Sequence, residues 1–115
     1  MKNVLITGAY GGMGRATARL LSSQGIKVFA LDKRVDKEEE NIIPIEADIT
    51  SEESINCALE NVKTHTSSLD AIIHFAGIYM LDSLVEMESK DFKKIFDVNF
   101  YGVYLINKVF LPLLY

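Results

Sequence analysis

Apolar and polar positions along this chain fall into blocks that predict four short strands separated by helices. Runs of apolar and β-favouring residues predict strands at residues 4–7, 27–32, 42–47 and 69–75. Apolar residues at helical spacing predict a first helix that buries Met13, Ala16, Leu20 and Leu21. A second helix carries one apolar stripe made of Ile55, Ala58, Leu59 and Val62.

Capping and turn residues set the expected ends of these elements. Gly25 is expected just past the first helix, and Thr50-x-x-Glu53 is expected as a capping box that opens the second. Pro44 in the third strand favours a sheet edge, because proline cannot donate a ladder hydrogen bond.

The last helix is expected to begin near Ser89 as its N-cap and to be covered on all sides. One side is predicted to carry Phe92, Ile95, Phe96, Phe100, Val103 and Phe110, and the other Val98, Tyr101, Leu105 and Val109.

Alternating strands and helices predict an α/β fold in which a parallel sheet is covered by helices on both faces. Right-handed crossovers give a Rossmann-type first half with strand order 3-2-1-4. Ligands of such sheets bind at the carboxyl ends of the strands, near the switch between strands one and four.

A glycine cluster lies at that switch, between the first strand and the first helix. The pattern is Thr7-Gly8-x-x-x-Gly12-x-Gly14, which is neither Gly-x-Gly-x-x-Gly nor a P-loop. Gly8 can turn the chain, Gly12 can let the backbone approach a pyrophosphate, and Gly14 can let the helix pack closely. A strand, a glycine turn and a helix N-terminus together favour phosphate binding, although tight turns also collect glycines.

An acidic residue ends the second strand. Asp32 lies 18 positions after Gly14, near the offset at which a carboxylate binds the adenosine ribose hydroxyls. Such a carboxylate repels a 2′-phosphate and therefore favours NAD over NADP, although Lys33 and Arg34 can partly offset the repulsion. The alternative is an exposed aspartate that caps a strand.

These motifs in this order resemble the short-chain dehydrogenase/reductase family over nearly the whole chain. Further matches are Asp48-Ile49, Ala76-Gly77 and Asn99-Phe-Tyr-Gly102. The resemblance implies an oxidoreductase that transfers hydride between an alcohol or carbonyl substrate and NAD, with NADP less favoured. The implied cofactor-binding residues are Thr7, Gly8, Tyr10, Gly11, Gly12, Met13, Gly14, Asp32, Lys33, Asp48, Ile49, Phe75, Ala76 and Gly77.

In the family, an acid at the position of Asp48 faces the adenine ring, but a turn residue before Thr50 is an equal alternative. The sequence departs from the family's Asn-Asn-Ala-Gly segment, since His74 and Phe75 occupy the first two positions. His74 has no second ligand at a useful spacing, so a hydrogen-bonded histidine is favoured over a metal ligand or base.

Asn99 has two open interpretations. By resemblance it is the asparagine of the Asn-Ser-Tyr-Lys tetrad, where it holds a water linked to the catalytic lysine. The alternative is a structural asparagine whose amide pairs with the backbone.

The remaining tetrad members have no counterpart in the chain. Tyr104-Leu-Ile-Asn-Lys108 fits Tyr-x-x-x-Lys by letter, but it follows Asn99 on the same helix and no serine-bearing strand precedes it. Residues 1–115 therefore indicate the amino-terminal, dinucleotide-binding half of the fold, which is expected to turn nothing over by itself.

Composition narrows the function classes. The 115 residues are 49% hydrophobic and 24% charged with a net charge of −4, which favours no nucleic acid or membrane partner. Cys57 is the only cysteine, which fits a reducing cytoplasm, and His65 is expected at the surface. No metal site is expected, and the doubly apolar last helix suggests a homo-oligomer. A non-catalytic NAD(H)-binding module and a structural remnant remain the alternatives to an enzyme.

Overall fold

One parallel sheet forms the centre of the protein, whose computed structural model describes residues 1–78 and 85–114. The strands are β1 (Asn3–Thr7), β2 (Lys27–Asp32), β3 (Ile42–Glu46) and β4 (Ala71–His74). Their order is β3-β2-β1-β4, and every pair is parallel. The predicted fold class and strand order are therefore confirmed, with β3 and β4 shorter than expected.

Helices cover both faces of this sheet. They are α1 (Gly12–Ser23), α2 (Glu52–Lys63), α3 (Ser89–Phe96) and α4 (Gly102–Phe110). A π-helical turn at Asp97–Tyr101 joins α3 to α4, and a 3₁₀ turn at Leu111–Leu114 follows. The predicted last helix is thus a continuous run of helical turns, in which α3, the π-helical turn, α4 and the 3₁₀ turn follow one another.

Two hydrophobic clusters fill the space between the sheet and its helices. Alternate residues of β1 enter different clusters, Leu5 towards α2 and α4, and Val4 and Ile6 towards α1. All three are completely buried. This double coverage is why the strands are continuously apolar rather than alternating.

The prediction for the apolar face of α1 is wrong for three of its four residues, and only Leu21 packs against the core. Gly14 and Ala18 are its buried residues, and Leu21 is half-buried, so the inward stripe consists mainly of small residues. A helix that approaches a sheet through small residues has no room for large ones between them. The side chains predicted to be inside lie at the surface instead, namely Met13, Ala16 and Leu20.

Two predicted caps are also wrong by one residue. The N-cap of α2 is Ser51, whose hydroxyl accepts a hydrogen bond from the amide of Ser54 at 3.2 Å. The Thr50 hydroxyl does not cap the helix because it donates a hydrogen bond to the carboxylate of Asp48. At α3 the N-cap is Glu88, and Ser89 is already helical.

Other sequence signals are confirmed. Gly25 follows α1 with a φ of 81°, and its amide donates to the carbonyl of Ser22 at 3.0 Å. Pro44 lies in β3, one of the two edge strands of the described sheet. The stripe predicted for α2 faces the core, with Leu59 half-buried beside three buried residues. His65 is exposed, as expected.

The described residues of this chain leave part of the last helix uncovered. Phe92, Phe96 and Phe100 are 57%, 48% and 66% exposed, whereas Phe110 is completely buried. A π-helical turn holds more residues than an α-helical turn, so it rotates the residues after it relative to those before it. The aromatic stripe that sequence spacing predicts is therefore broken at the turn.

Candidate functional site

The glycine loop lies between the end of β1 and the start of α1. Gly8 has a φ of 66°, and a Cβ at Gly8 would lie 2.5 Å from the amide nitrogen of Ala76. A Cβ at Gly14 would overlap the carbonyl oxygen of Gly8, whereas one at Gly12 would meet nothing within 4 Å. The loop therefore packs against its neighbours at Gly8 and Gly14 and is open at Gly12.

The start of α1 lies next to this loop. Gly11 is the N-cap and has no capping side chain. The first amides of an α-helix have no acceptor within the helix, and the helix dipole places partial positive charge there. This edge of the loop can accept an anionic group.

Asp32 joins the glycine loop to the end of β2. Its Oδ2 accepts a hydrogen bond from the amide of Tyr10 at 3.0 Å, and its Oδ1 accepts one from the amide of Lys33 at 2.7 Å. Each carboxylate oxygen retains a lone pair, so the side chain can still accept hydrogen bonds from a ligand. The half-buried carboxylate is thereby held at the carboxyl edge of the sheet.

The Tyr10 ring belongs to a polar cluster at the side of the loop. The Arg15 guanidinium lies 5.3 Å from the ring centroid and forms an ion pair with Asp36. The phenolic oxygen of Tyr10 is buried with no hydrogen-bond partner among residues 1–78 and 85–114. Burial, followed by the carboxylates of Asp36 and Glu39, raises the pKa of this phenol.

Asp48 is a turn residue after β3. Its Oδ1 accepts hydrogen bonds from the Thr50 hydroxyl at 2.7 Å and from the Thr50 amide at 2.9 Å. These two bonds, the hydroxyl first, lower the pKa of the Asp48 carboxyl. The structure thus shows the turn role that the sequence left open.

A hydrogen-bond network ties the end of β4 to β1 and α4. The Thr7 hydroxyl lies 3.4 Å from Nδ1 of His74 and accepts a hydrogen bond from the amide of Ala76 at 3.4 Å. Nε2 of His74 lies 2.9 Å from Oδ1 of Asn107. His74 is therefore a hydrogen-bonded strand-end histidine, as expected.

Asn99 lies in the π-helical turn and clamps the segment that follows β4. Its Oδ1 accepts a hydrogen bond from the amide of Ile78 at 2.8 Å, and its Nδ2 donates to the carbonyl of Ile78 at 2.7 Å. This is the backbone pairing that the sequence left open for Asn99. Short π-helical insertions occur preferentially at functional sites.

The carboxyl ends of the strands open into one cleft of about 660 Å³. Ligand pockets typically have volumes of about 300–1,000 Å³. The predicted site residues that line the cleft are Gly8, Gly11, Asp32, Lys33, Asp48, Ile49, Phe75, Ala76 and Gly77. The remaining predicted residues are not among those that line it, namely Thr7, Tyr10, Gly12, Met13, Gly14 and Asn99.

One wall of the cleft was missed from the sequence. Lys90, Lys93 and Lys94 of α3 line it together with Asp97 and Val98 of the π-helical turn. Their spacing of i, i+3, i+4, i+7 and i+8 is that of one helix face. The helical spacing of the lysines could have predicted this wall. The prediction for this segment rested instead on its phenylalanines, which indicate apolar faces.

The Tyr-x-x-x-Lys match lies away from this cleft. Tyr104 is 53% exposed and stacks on Tyr101, with ring centroids 5.9 Å apart. Nζ of Lys108 pairs with Glu52 at 3.3 Å, and this hydrogen bond and charge raise the pKa of the lysine. Neither side chain lines the cleft.

The described residues contain neither a candidate membrane span nor a candidate metal site. None of the helices within residues 1–78 and 85–114 is long and apolar enough to cross a membrane. In the same residues, no group of three histidine, cysteine or acidic side chains is arranged to hold a metal ion.

Comparison with known proteins assigns the family. A sequence model of the short chain dehydrogenase family matches residues 2–115. A short-chain dehydrogenase of Talaromyces islandicus is 33% identical over 121 residues, covering 99% of this chain and 43% of that protein. An NADPH-dependent 1-acyldihydroxyacetone phosphate reductase of Schizosaccharomyces pombe is 33% identical, covering 95% of this chain and 39% of that protein.

Solved structures show the same fold. Ligand-free aldohexose dehydrogenase of Thermoplasma acidophilum superposes with a TM-score of 0.90 at 28% identity, covering 98% of this chain and 44% of that one. A 3-ketoacyl-(acyl-carrier-protein) reductase of Brucella melitensis, complexed with NADH, also gives a TM-score of 0.90 at 28% identity. That match covers 97% of this chain and 50% of that one.

The chain therefore belongs to the short-chain dehydrogenase family of NAD(P)-using oxidoreductases. It spans about two fifths of the length of the curated relatives it matches.

Proposed function

We propose that this chain is the dinucleotide-binding half of an oxidoreductase that transfers hydride between an alcohol or carbonyl substrate and NAD. The supporting observation is that the glycine loop, the Asp32 carboxylate and the small residues after β4 line one cleft. The glycine loop suits the pyrophosphate of a dinucleotide, and the Asp32 carboxylate suits the ribose hydroxyls. We propose a cytoplasmic location, on the ground that Cys57, the one cysteine of this chain, is not in a disulfide.

The residues present fit the cofactor. The open backbone at Gly12 and the first amides of α1 would hold the pyrophosphate, and Asp32 would accept the ribose hydroxyls. The apolar Ile49 and the loop at Asp48 would contact the adenine side. When bound, the nicotinamide supplies the hydride chemistry, and the protein supplies position.

For Asn99 we propose a positioning role. Both ends of its amide bond to the backbone of Ile78, so the side chain holds the cleft edge after β4 in place. The serine, tyrosine and lysine of the family's tetrad are proposed to lie outside this chain. We expect no dehydrogenase turnover from residues 1–115, and measurable turnover would contradict this division.

We also propose that the whole protein is a homo-oligomer. Large apolar side chains of α3, the π-helical turn and α4 are exposed, and exposed apolar patches commonly mark interaction surfaces. Light scattering of the whole protein tests this, and a clean monomer would count against it.

Calorimetric titration with NAD and NADP tests the cofactor proposal. Asp32→Ala is expected to raise the Kd for NAD about tenfold or more, since hydrogen bonds to a charged group contribute about 1.5–3 kcal/mol. Asp36→Ala is the matched control, because that carboxylate pairs with Arg15 and does not line the cleft.

Circular dichroism must show that each variant is folded. No NAD binding by folded wild-type protein at millimolar concentrations would refute the proposal and favour a structural remnant. NAD binding by a complete protein that shows no turnover would favour a sensing module.

A further inference from the structure

The α3 wall of the cleft is strongly basic. Lys90, Lys93 and Lys94 all line the cleft from one face of the helix. Lys33 adds a fourth positive charge from the end of β2. This concentration is unexpected in a chain of 115 residues with only 12 basic residues and a net charge of −4.

Three aspartates also line the cleft, namely Asp32, Asp48 and Asp97. Asp97 lies one turn after Lys93 and Lys94 on the same helix face, but within residues 1–78 and 85–114 it forms no ion pair with either lysine. Asp32 accepts hydrogen bonds from two backbone amides, and Asp48 accepts two from Thr50. Their contacts hold them at the β2 and β3 edge of the cleft, and neither forms an ion pair with α3 in the described residues.

In the part of the chain that the structure describes, one of the three α3 lysines forms an ion pair. Lys90 pairs with Glu88 at 3.2 Å. Within residues 1–78 and 85–114, Lys93 and Lys94 form no ion pair. Lys93 and Lys94 therefore leave the α3 wall with more positive charge than the single carboxylate of Asp97 offsets, and a wall with excess positive charge attracts anionic ligands.

We propose that Lys93 and Lys94 bind a phosphate group of the ligand that fills this cleft. The inference rests on the proposed function, since it assumes that the cleft takes an adenine dinucleotide. It adds a second phosphate-recognition element to the glycine loop, on the opposite wall. Both lysines are exposed, so their contribution is modest and is screened by salt.

Titration of a double variant, Lys93→Gln with Lys94→Gln, tests the inference. The ligands are adenosine, ADP, NAD and NADP, at low and at high salt. The matched control is Lys37→Gln with Lys63→Gln, which changes the net charge equally at residues that do not line the cleft. Thermal unfolding confirms that the folds are equivalent.

The double variant is expected to raise the Kd for ADP and NAD about tenfold at low salt, from two exposed charge interactions of ordinary size. Adenosine, which has no phosphate, is expected to change less than about twofold, and high salt should shrink the difference. The control variant should bind every ligand like the wild type.

Comparison of the two dinucleotides identifies the phosphate. A larger loss for NADP than for NAD assigns the lysines to the 2′-phosphate, and an equal loss assigns them to the pyrophosphate. An equal loss for adenosine, or no loss for ADP, NAD and NADP alike, overturns the inference while leaving the proposed function intact. Wild-type protein that binds none of the four ligands overturns both.

Discussion

Replacing Gly12 and Gly14 separately with alanine distinguishes a glycine needed for folding from a glycine needed for ligand binding. Gly12 and Gly14 both lie in the first turn of α1, so they differ little in helix propensity. Their surroundings differ sharply, because only Gly14 lies against the backbone of the glycine loop.

The structure gives the expected magnitudes. Alanine in place of a helical glycine gains about 0.5–1 kcal/mol where space allows. At Gly12 nothing lies within 4 Å of the new Cβ, so Gly12→Ala is expected to be neutral or stabilising by that amount. At Gly14 the new Cβ would overlap the Gly8 carbonyl and lie 2.9 Å from Cα of Ala9. Since both neighbours are backbone, Gly14→Ala is expected to destabilise by about 1–3 kcal/mol despite the propensity gain.

Urea unfolding followed by circular dichroism measures both changes. Gly12→Ala is expected to keep the fold but to raise the Kd for NAD at least about tenfold, because its methyl group occupies the open face where the pyrophosphate approaches. Gly14→Ala is expected to shift the urea midpoint downwards.

A Gly14→Ala variant at least as stable as Gly12→Ala would refute the packing argument. A Gly12→Ala variant that binds NAD like the wild type would refute the role given to Gly12.

Three further predictions follow from single contacts. Tyr10→Phe is expected to be neutral or stabilising by up to about 1 kcal/mol in urea unfolding, because it removes a buried hydroxyl that has no partner among the described residues; a clear loss would mean that the hydroxyl is paired. Thr7→Val is expected to destabilise by about 1–2 kcal/mol, because it keeps the shape of a completely buried side chain but leaves the Ala76 amide without its acceptor; unchanged stability would mean that this 3.4 Å contact contributes nothing. Backbone hydrogen bonds from the first residues of the chain lower the pKa of Asp70, so its contribution to stability is present above about pH 4 and is lost as pH falls through the lowered pKa. Thermal midpoints of Asp70→Asn and wild type should therefore differ near pH 6 and converge at lower pH, and a difference independent of pH would contradict the assignment.

Sequence patterns predicted the sheet well because its signals are local and redundant. A strand such as Lys27–Asp32 is both continuously apolar and bounded by turn residues, and only a doubly covered parallel strand suits that pattern. The glycine spacing then fixed where the chain turns from β1 into α1. The carboxyl edge of the sheet, where the cleft opens, followed from these two features.

Helix faces were predicted less well because they depend on what packs against them. Gly14 and Ala18 face the sheet because the helix lies close to it and only small residues fit there. The spacing of apolar residues in the sequence does not reveal how close the helix lies. At α2 the cap moved to Ser51 because Asp48 already engages the Thr50 hydroxyl. The first error comes from a tertiary contact between helix and sheet, and the second from a competing local hydrogen bond within the turn before α2.

The basic wall could have been found, since the α3 lysines already have the spacing of one helix face. Which face of a helix borders a cleft depends on the direction of the chain after β4, and the sequence does not encode that direction locally. Asn99 shows the same limit, because its partner Ile78 lies 21 positions away along the chain.

The π-helical turn has a consequence for how sequences of this kind should be aligned and engineered. A π-helical turn corresponds to one residue inserted into an α-helix, so deleting one residue from Asp97–Tyr101 would rotate α4 by about 100° relative to α3. Gly102, whose missing side chain leaves room for Ile49, would then leave that contact. A one-residue gap at this place in an alignment therefore marks a change in which side chains meet the sheet, even where every neighbouring residue is identical.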